Sequence, residues 1–522
     1  MPKRFACLIW AASLLLAACN FAIESSDPTV TSEPTLTPSA TVTASPSPTP
    51  TTTLSPTPAV TATPTLTPSD TPPPTETPFP TATSYPVAGL ANDQWRTVDV
   101  PDAVRTGLSS SWFSLLVLNE RSNTADLRTP EAPTDQQTLY LLNPSSGEMV
   151  SIMDVPASTN QRIYWSPDGN KVLYFLEPTL LEDNTRAGGL YLLNLNLAIS
   201  LRLFDIPSLN PRGIPDHYPV WAPDGSQFAI ALPTAYDVDI FVISADGSVI
   251  QNVTAHGAFD LWPTWSPDGR RLAFISDRLT CPTWTPGEPD TCAVLEATPP
   301  TSGNLYVLDT ETGSVQQVSD MLIDGPPTWV NNLQIALTTG LSDPLAAESH
   351  IWITDIQSGT VREITDSDNT LNLGAAWSPG GLQVLYHRVS DPAGLILKDS
   401  QGNVVNQLED YVFSRYAFAA AWSPDGAYVA LAGRNGQCPY GLMVARNDLT
   451  LVYGPATAPF VCDPYYSPDG NWLAFAGIRT IPGVDDGRLD LYIAQPNGYG
   501  ARNMTSRLRG EIRLVGWVGP VQ

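Results

Sequence analysis

From about residue 95 onward, apolar residues come in short runs rich in Val, Ile, Tyr and Phe. After Trp265 the runs are LAFIS (272–276), NLYVLD (304–309) and SVQQVS (314–319). After Trp221 they are FAIAL (228–232), DIFVIS (239–244) and SVIQNVT (248–254), and after Tyr466 they are LAFAG (473–477), DLYIAQ (490–495) and ARNMTS (501–506). Gly, Asp, Asn or Pro bounds most of them. Runs of this length and make-up predict β-strands, and no stretch holds a sustained helical period.

Each group of strands follows one motif. Its best copies are Trp165-Ser-Pro-Asp-Gly169, Trp221-Ala-Pro-Asp-Gly225, Trp265-Ser-Pro-Asp-Gly269, Trp422-Ser-Pro-Asp-Gly426 and Tyr466-Ser-Pro-Asp-Gly470. Weaker copies start at Trp329 (WVNNL) and Trp377 (WSPGG), and Trp517 lies in RLVGWVGP near the C-terminus. Pro at the second turn position presets φ, Ser at the first accepts a local hydrogen bond, and Gly at the fourth takes positive φ. The turn therefore accounts for Asp168, Asp224, Asp268, Asp425 and Asp469 as structural residues. Four short strands in each repeat is the signature of a propeller blade, with the aromatic residue packed between neighbouring sheets.

The W-S-P-D-G turn followed by an L-A-F strand resembles the TolB-type propeller repeat, which also builds the N-terminal propeller of dipeptidyl-peptidase-IV-like enzymes. The resemblance covers roughly residues 105–520. It implies an all-β fold, a WD40-like β-propeller and a habit of binding, and no single activity. The aromatic positions at 165, 221, 265, 329, 377, 422 and 466 start seven units. SLLVLNE (114–120), TLYLLN (138–143) and MVSIMDV (149–155) supply three further strands, and IRLVGWV (512–518) supplies one. Together these predict an eighth blade, closed by pairing of the C-terminal strand with the N-terminal ones; seven blades remain if one degenerate unit is absorbed elsewhere.

Composition adds the location. The N-terminus carries Lys3 and Arg4, then an apolar run from Phe5 to Leu16, then Leu16-Ala17-Ala18-Cys19. That order reads as a signal peptide over residues 1–18, and its end resembles a bacterial lipobox. The resemblance implies cleavage before Cys19 and lipid on its thiol and new amine. Residues 20–86 hold 20 Thr and 16 Pro and no Gly, Lys or Arg. Pro lacks the backbone donor and Thr offers little to bury, so residues 19–86 are expected to form a disordered stalk. The propeller is then assigned to residues 87–522. The whole chain has 26 Lys+Arg against 52 Asp+Glu, a formal −26, which excludes nucleic acid as a partner. Membrane attachment rests on the acyl chains, and the expected location is extracytoplasmic, anchored to the bacterial cell membrane and exposed at its surface.

Candidate chemistry is sparse. Of the six cysteines, Cys281, Cys292, Cys438 and Cys462 remain after Cys7 and Cys19 are set aside. Loop positions favour Cys281–Cys292 and Cys438–Cys462 pairs on one face; spacing without C-x₂-C argues against zinc. That face also carries the candidate ligand residues Arg212, Asp216, His217, Asp260, Trp262, Asp324, Arg415, Tyr416 and Asp463, with a long insertion at 277–303. No G-x-S-x-G, H-E-x-x-H, P-loop or dinucleotide fingerprint occurs, so no catalytic residue, metal or cofactor is assigned. The reading is a monomeric, non-catalytic module that binds or scaffolds an envelope protein, peptide or glycan. The alternative is a metal-assisted lyase or hydrolase using Asp216, His217, His256 and Asp260.

Overall fold

The computed structural model describes residues 96–97, 114–120, 136–156, 163–176, 189–204, 218–233, 237–279, 302–340, 348–365, 370–434, 436–454, 459–478, 487–508 and 511–518. All lie in the unit Pro78–Gln522. The signal peptide, Cys19 and the Thr/Pro-rich segment fall outside them. Among the described residues every regular element is a strand, apart from one 3₁₀ turn at Pro379–Gly381.

The Trp265 unit shows the plan. Asp260–Trp265 pairs with Arg271–Ser276, which pairs with Asn304–Asp309, which pairs with Val315–Gln317, all antiparallel. The Trp165, Trp221, Trp329 and Trp377 units repeat that order. The middle strands are almost wholly buried and the last is largely exposed. This explains why the middle runs read as continuous apolar stretches: a neighbouring sheet covers each of their faces.

The core lies between the sheets. Leu190, Leu192 and Phe204 of the Trp165 unit pack with Trp221, Phe228 and Ile230 of the next. Later gaps are filled in the same manner, Leu385, Leu395 and Leu397 meeting Phe418, Val429 and Leu431, for example. The chain ends close the array. Glu511–Val518 pairs with Ser114–Glu120, in a sheet completed by Gln136–Leu142 and Met149–Pro156. One side of this sheet packs Leu142 and Ile512 against Leu491 and Ile493 of the Tyr466 unit. Its other side packs Leu139 and Ile152 against Val172 and Leu193 of the Trp165 unit.

The repeated turn has the anticipated geometry. In the Trp165 copy Ser166 Oγ donates to Asp168 Oδ1 at 2.5 Å and accepts from Lys171 N at 2.9 Å, while Gly169 holds φ 74°. Ser266, Ser423 and Ser467 repeat the bond to their aspartates. In the Ala222 copy, which lacks the serine, Ser226 donates to Asp224 instead. The Ser423 hydroxyl and the Ala427 N–H hold the Asp425 carboxyl below the usual carboxylate range.

The motif tryptophans do more than pack. Nε1 of Trp221, Trp265, Trp329, Trp422 and Trp517 donates to the carbonyl of Tyr164, Val220, Thr264, Ala376 and Tyr465 respectively, at 3.0–3.2 Å. Each acceptor immediately precedes the motif aromatic of the preceding unit. Trp517, which has no S-P-D-G after it, is thereby the structural equivalent of the other motif tryptophans.

Two features go beyond the sequence reading. Arg96–Thr97 adds an outer strand to Ile199–Phe204. The Trp422 and Tyr466 sheets join through a parallel bridge between Gly433 and Cys462.

Candidate ligand-binding face

The first strand of several units carries a bulge three residues before the motif aromatic. Trp262, Gly374 and Asp463 occupy this position with φ 52°, 68° and 50°, and the register shifts beside each. Left-handed backbone is costly for Trp and Asp, and bulges of this kind re-aim side chains. In the Trp262 and Asp463 copies a proline follows, Pro263 and Pro464. That dipeptide is the sequence trace of a feature the repeat pattern does not otherwise announce.

The candidates in the Trp265 unit have internal work. Asp260 is fully buried, and Arg278 grips it through Nη2 at 2.6 Å and Nε at 3.3 Å. The guanidinium also lies over Phe274 and Tyr306, 5.2 and 5.3 Å from their ring centroids. Trp262 packs against the apolar clusters on either side of its sheet, near Ile323 and Phe259. Asp260 is thus paired within its own unit, and Trp262 is packed against apolar neighbours. Asp324 is half-buried beside Ile323, whose backbone pairs with Gly303.

Close by lies a polar knot that motif reasoning missed. Asp239 accepts from Asn252 Nδ2 at 2.7 Å, Thr254 Oγ1 at 3.1 Å and the His256 N–H at 3.0 Å. Burial, then the charge of Asp260, pushes the Asp239 carboxyl up. Burial, then the Arg278 charge, pulls the His256 imidazole down. Asp490 repeats the arrangement with Asn503 and Thr505, but there Arg488 supplies a cation at 2.7 Å. The signal was present as N-x-T at the third strand after the motif turn, in QNVT and RNMT.

These contacts bear on metal chemistry. Among the described residues no three His, Cys, Asp or Glu side chains are placed to hold a metal ion. Of the residues in the metal-assisted alternative, Asp260 is committed to Arg278, while the His256 bond to Asp239 comes from its backbone N–H and does not involve the ring. Asp216 and His217 lie outside the described residues, as do Arg212, Cys281 and Cys292.

The remaining candidates come together in the Trp422 and Tyr466 units. Cys438 and Cys462 form a disulfide, with Cα atoms 5.1 Å apart, that joins the two sheets. Ser414 Oγ donates to Gln437 Oε1 at 2.6 Å, and Tyr440 Oη donates to the Val412 carbonyl at 2.9 Å. The Val461 N–H donates to the Tyr440 carbonyl. Segments 411–417, 436–440 and 459–463 are thus laced together. Within them, Arg415 sits 5.2 Å from the Tyr416 ring centroid, Tyr416 holds φ 63°, and Asp463 occupies the bulge.

Beneath lies His387, fully buried among Phe413 and Phe418, with centroids 5.7 and 5.9 Å away. Its Nε2 accepts from the Phe413 N–H at 3.2 Å, and burial pulls the imidazole down to about 4. The ring is therefore neutral with its proton on Nδ1, a packing histidine that supports the loop above it.

No family model and no curated protein matches the sequence. Among solved structures the chain is similar to TolB from Acinetobacter baumannii at 17% identity, over 69% of this chain and 82% of that one, with TM-score 0.30. It is similar to the propeller domain of the Trilobed protease from Pyrococcus furiosus at 14%, over 67% and 97%, with TM-score 0.37. An oligogalacturonate lyase in complex with manganese is similar at 16%, over 69% and 96%, with TM-score 0.42. The four-stranded antiparallel sheets, the inter-sheet cores and the pairing of the chain ends define a β-propeller. Its W-S-P-D-G turns resemble the TolB-type propeller repeat.

Proposed function

We propose that the propeller is a non-catalytic binding or scaffold module of the bacterial envelope. In this reading residues 1–18 are removed, lipid on Cys19 holds the chain to the membrane, and the Thr/Pro-rich stalk lifts residues 87–522 to the surface. The ring has eight blades, a count supported by the seven motif units together with the sheet that joins the chain ends. The observation that carries the binding role is the laced surface of Arg415, Tyr416 and Asp463. It combines left-handed non-glycine backbone with a covalent tie between sheets, the combination expected where a rigid scaffold displays recognition residues.

The test is a thermal-shift screen of the full chain against divalent metals, glycans, cell-wall peptides and envelope proteins. A ligand that binds only the native state raises its stability by RT ln(1 + [L]/Kd). A metal-independent shift lost in Tyr416→Ala is the expected result. A metal-dependent shift lost in His217→Ala with His256→Ala would transfer the assignment to the metal enzyme. Anchoring is tested separately: Cys19→Ala should move the protein from the membrane to the soluble fraction.

A further inference from the structure

The two polar knots of the ring differ in charge. In the Tyr466 unit Asp490 accepts from Asn503 and Thr505 and is paired with Arg488, two residues before it. Asp239 has the same kinds of partner in Asn252 and Thr254, but the residue two before it is Asp237, a second buried acid. The following first strand differs as well. Five residues before Trp517 stands the apolar Ile512, whereas five before Trp265 stands Asp260. Backbone pairing sets Asp260 beside Asp239: Val238 and Phe259 form a parallel bridge, and the Val238 N–H donates to the Ala258 carbonyl. The residues that follow, Asp239 and Asp260, are therefore neighbours on the same side, and their charges act on each other.

The other titratable groups around this pair are Asp277 and Arg278 at the end of the neighbouring strand, Tyr306 on the strand beyond, and His256 in the connection. Arg278 is the one cation in this set, and its Nη2 and Nε are spent on Asp260. His256 does not make up the difference, because burial and the Arg278 charge disfavour its protonated form. Three carboxyls thus face one guanidinium, and a buried carboxylate short of positive charge is costly until a proton neutralises it. Asp239 also organises the connection to the next unit. It holds Asn252, Thr254 and the His256 N–H, while Thr254 Oγ1 accepts from the Ile240 N–H at 3.0 Å. We propose that Asp239 and Asp260 form a proton-operated latch: an added proton holds residues 252–260 against strand Val238–Ser244, and its loss loosens that connection. Burial and the Asp260 charge raise the Asp239 carboxyl, so the folded state binds the proton more tightly than the unfolded chain does. The latch is therefore firmest at low pH and weakens as pH rises from the unfolded value of about 4 through the folded one.

Amide hydrogen exchange of the full chain at about pH 5 and about pH 8 tests the latch, with rates converted to protection factors to remove the intrinsic effect of pH. Residues 252–260 should lose about tenfold or more of their protection at the higher pH, the factor that one unit of pKa shift supplies. Residues 503–508, tied to Asp490 and its arginine, are the internal reference and should show no such loss. Asp239→Asn removes the titrating group and should abolish the difference, whatever it does to the absolute protection. Asp237→Arg, which copies Arg488, should abolish it independently. The comparison of the two segments in the wild type decides the matter even where a variant fails to fold. A similar loss in both segments, or in neither, would overturn the latch, as would a difference that survives in Asp239→Asn.

Discussion

The motif tryptophans separate packing from hydrogen bonding within one molecule. Trp422 and Trp377 are both half-buried at the same repeat position, but only Trp422 Nε1 has an acceptor; Trp377 Nε1 is buried with no partner. Losing one partner of a buried bond costs about 1–3 kcal/mol. Trp422→Phe should therefore lower the urea midpoint measurably more than Trp377→Phe, and equal losses would show that the indole bond contributes nothing. His387 gives a second residue-scale prediction. Its folded imidazole titrates near 4 and the unfolded one near 6.5, so the unfolded chain takes up the proton first as pH falls. The contribution is fully present above about pH 6.5 and falls away towards pH 4, by about 3 kcal/mol in total. The stability difference between wild type and His387→Gln, measured by urea titration at each pH, should carry this slope. A pH-independent difference would sink the assignment. Single residues were the least legible scale in the sequence. Asp260 and Trp262 can be placed near a loop from the sequence, but their partner Arg278 and the apolar clusters beside them follow only from the pairing of strands.

Individual elements were far easier to read. Strand runs such as LAFIS and NLYVLD lie within one residue of the observed Arg271–Ser276 and Asn304–Asp309 strands. They are buried on both faces, so composition alone marks them. The bulge was hidden because left-handed backbone at Trp262 and Asp463 follows from inter-strand register, which no local pattern encodes. The disulfide was anticipated because two loop classes emerge on one face. It closes a segment with sequence separation 24, for which the loop-entropy relation gives about 3–4 kcal/mol. Reduction, or the Cys438→Ser with Cys462→Ser pair, should lower the unfolding free energy by about that amount. Fluorescence-monitored guanidinium unfolding of oxidised and reduced protein checks it, and coincident curves would mean that the tie adds no stability.

At the scale of the molecule, closure depends on one strand from each end of the domain. Glu511–Val518 covers the edge of Ser114–Glu120, and Trp517 bonds to the Tyr465 carbonyl. An uncovered edge strand is a template for association. Deleting residues 511–522 should therefore lower the thermal midpoint and produce concentration-dependent aggregation in light scattering; an unchanged monomer would contradict closure by these ends. The ring itself was legible from five clean turns in register. The laced surface was not, because it requires segments 411–417, 436–440 and 459–463 to be placed together, and no motif spans them.

The binding account is tested most directly by amide hydrogen exchange of the full chain with and without a saturating concentration of the glycan, cell-wall peptide or envelope protein that shifts its thermal midpoint. Slowed exchange confined to residues 411–417, 436–440 and 459–463 is the predicted result. Slowing elsewhere, around Asp239 and His256 for example, or in no segment at all, would contradict it.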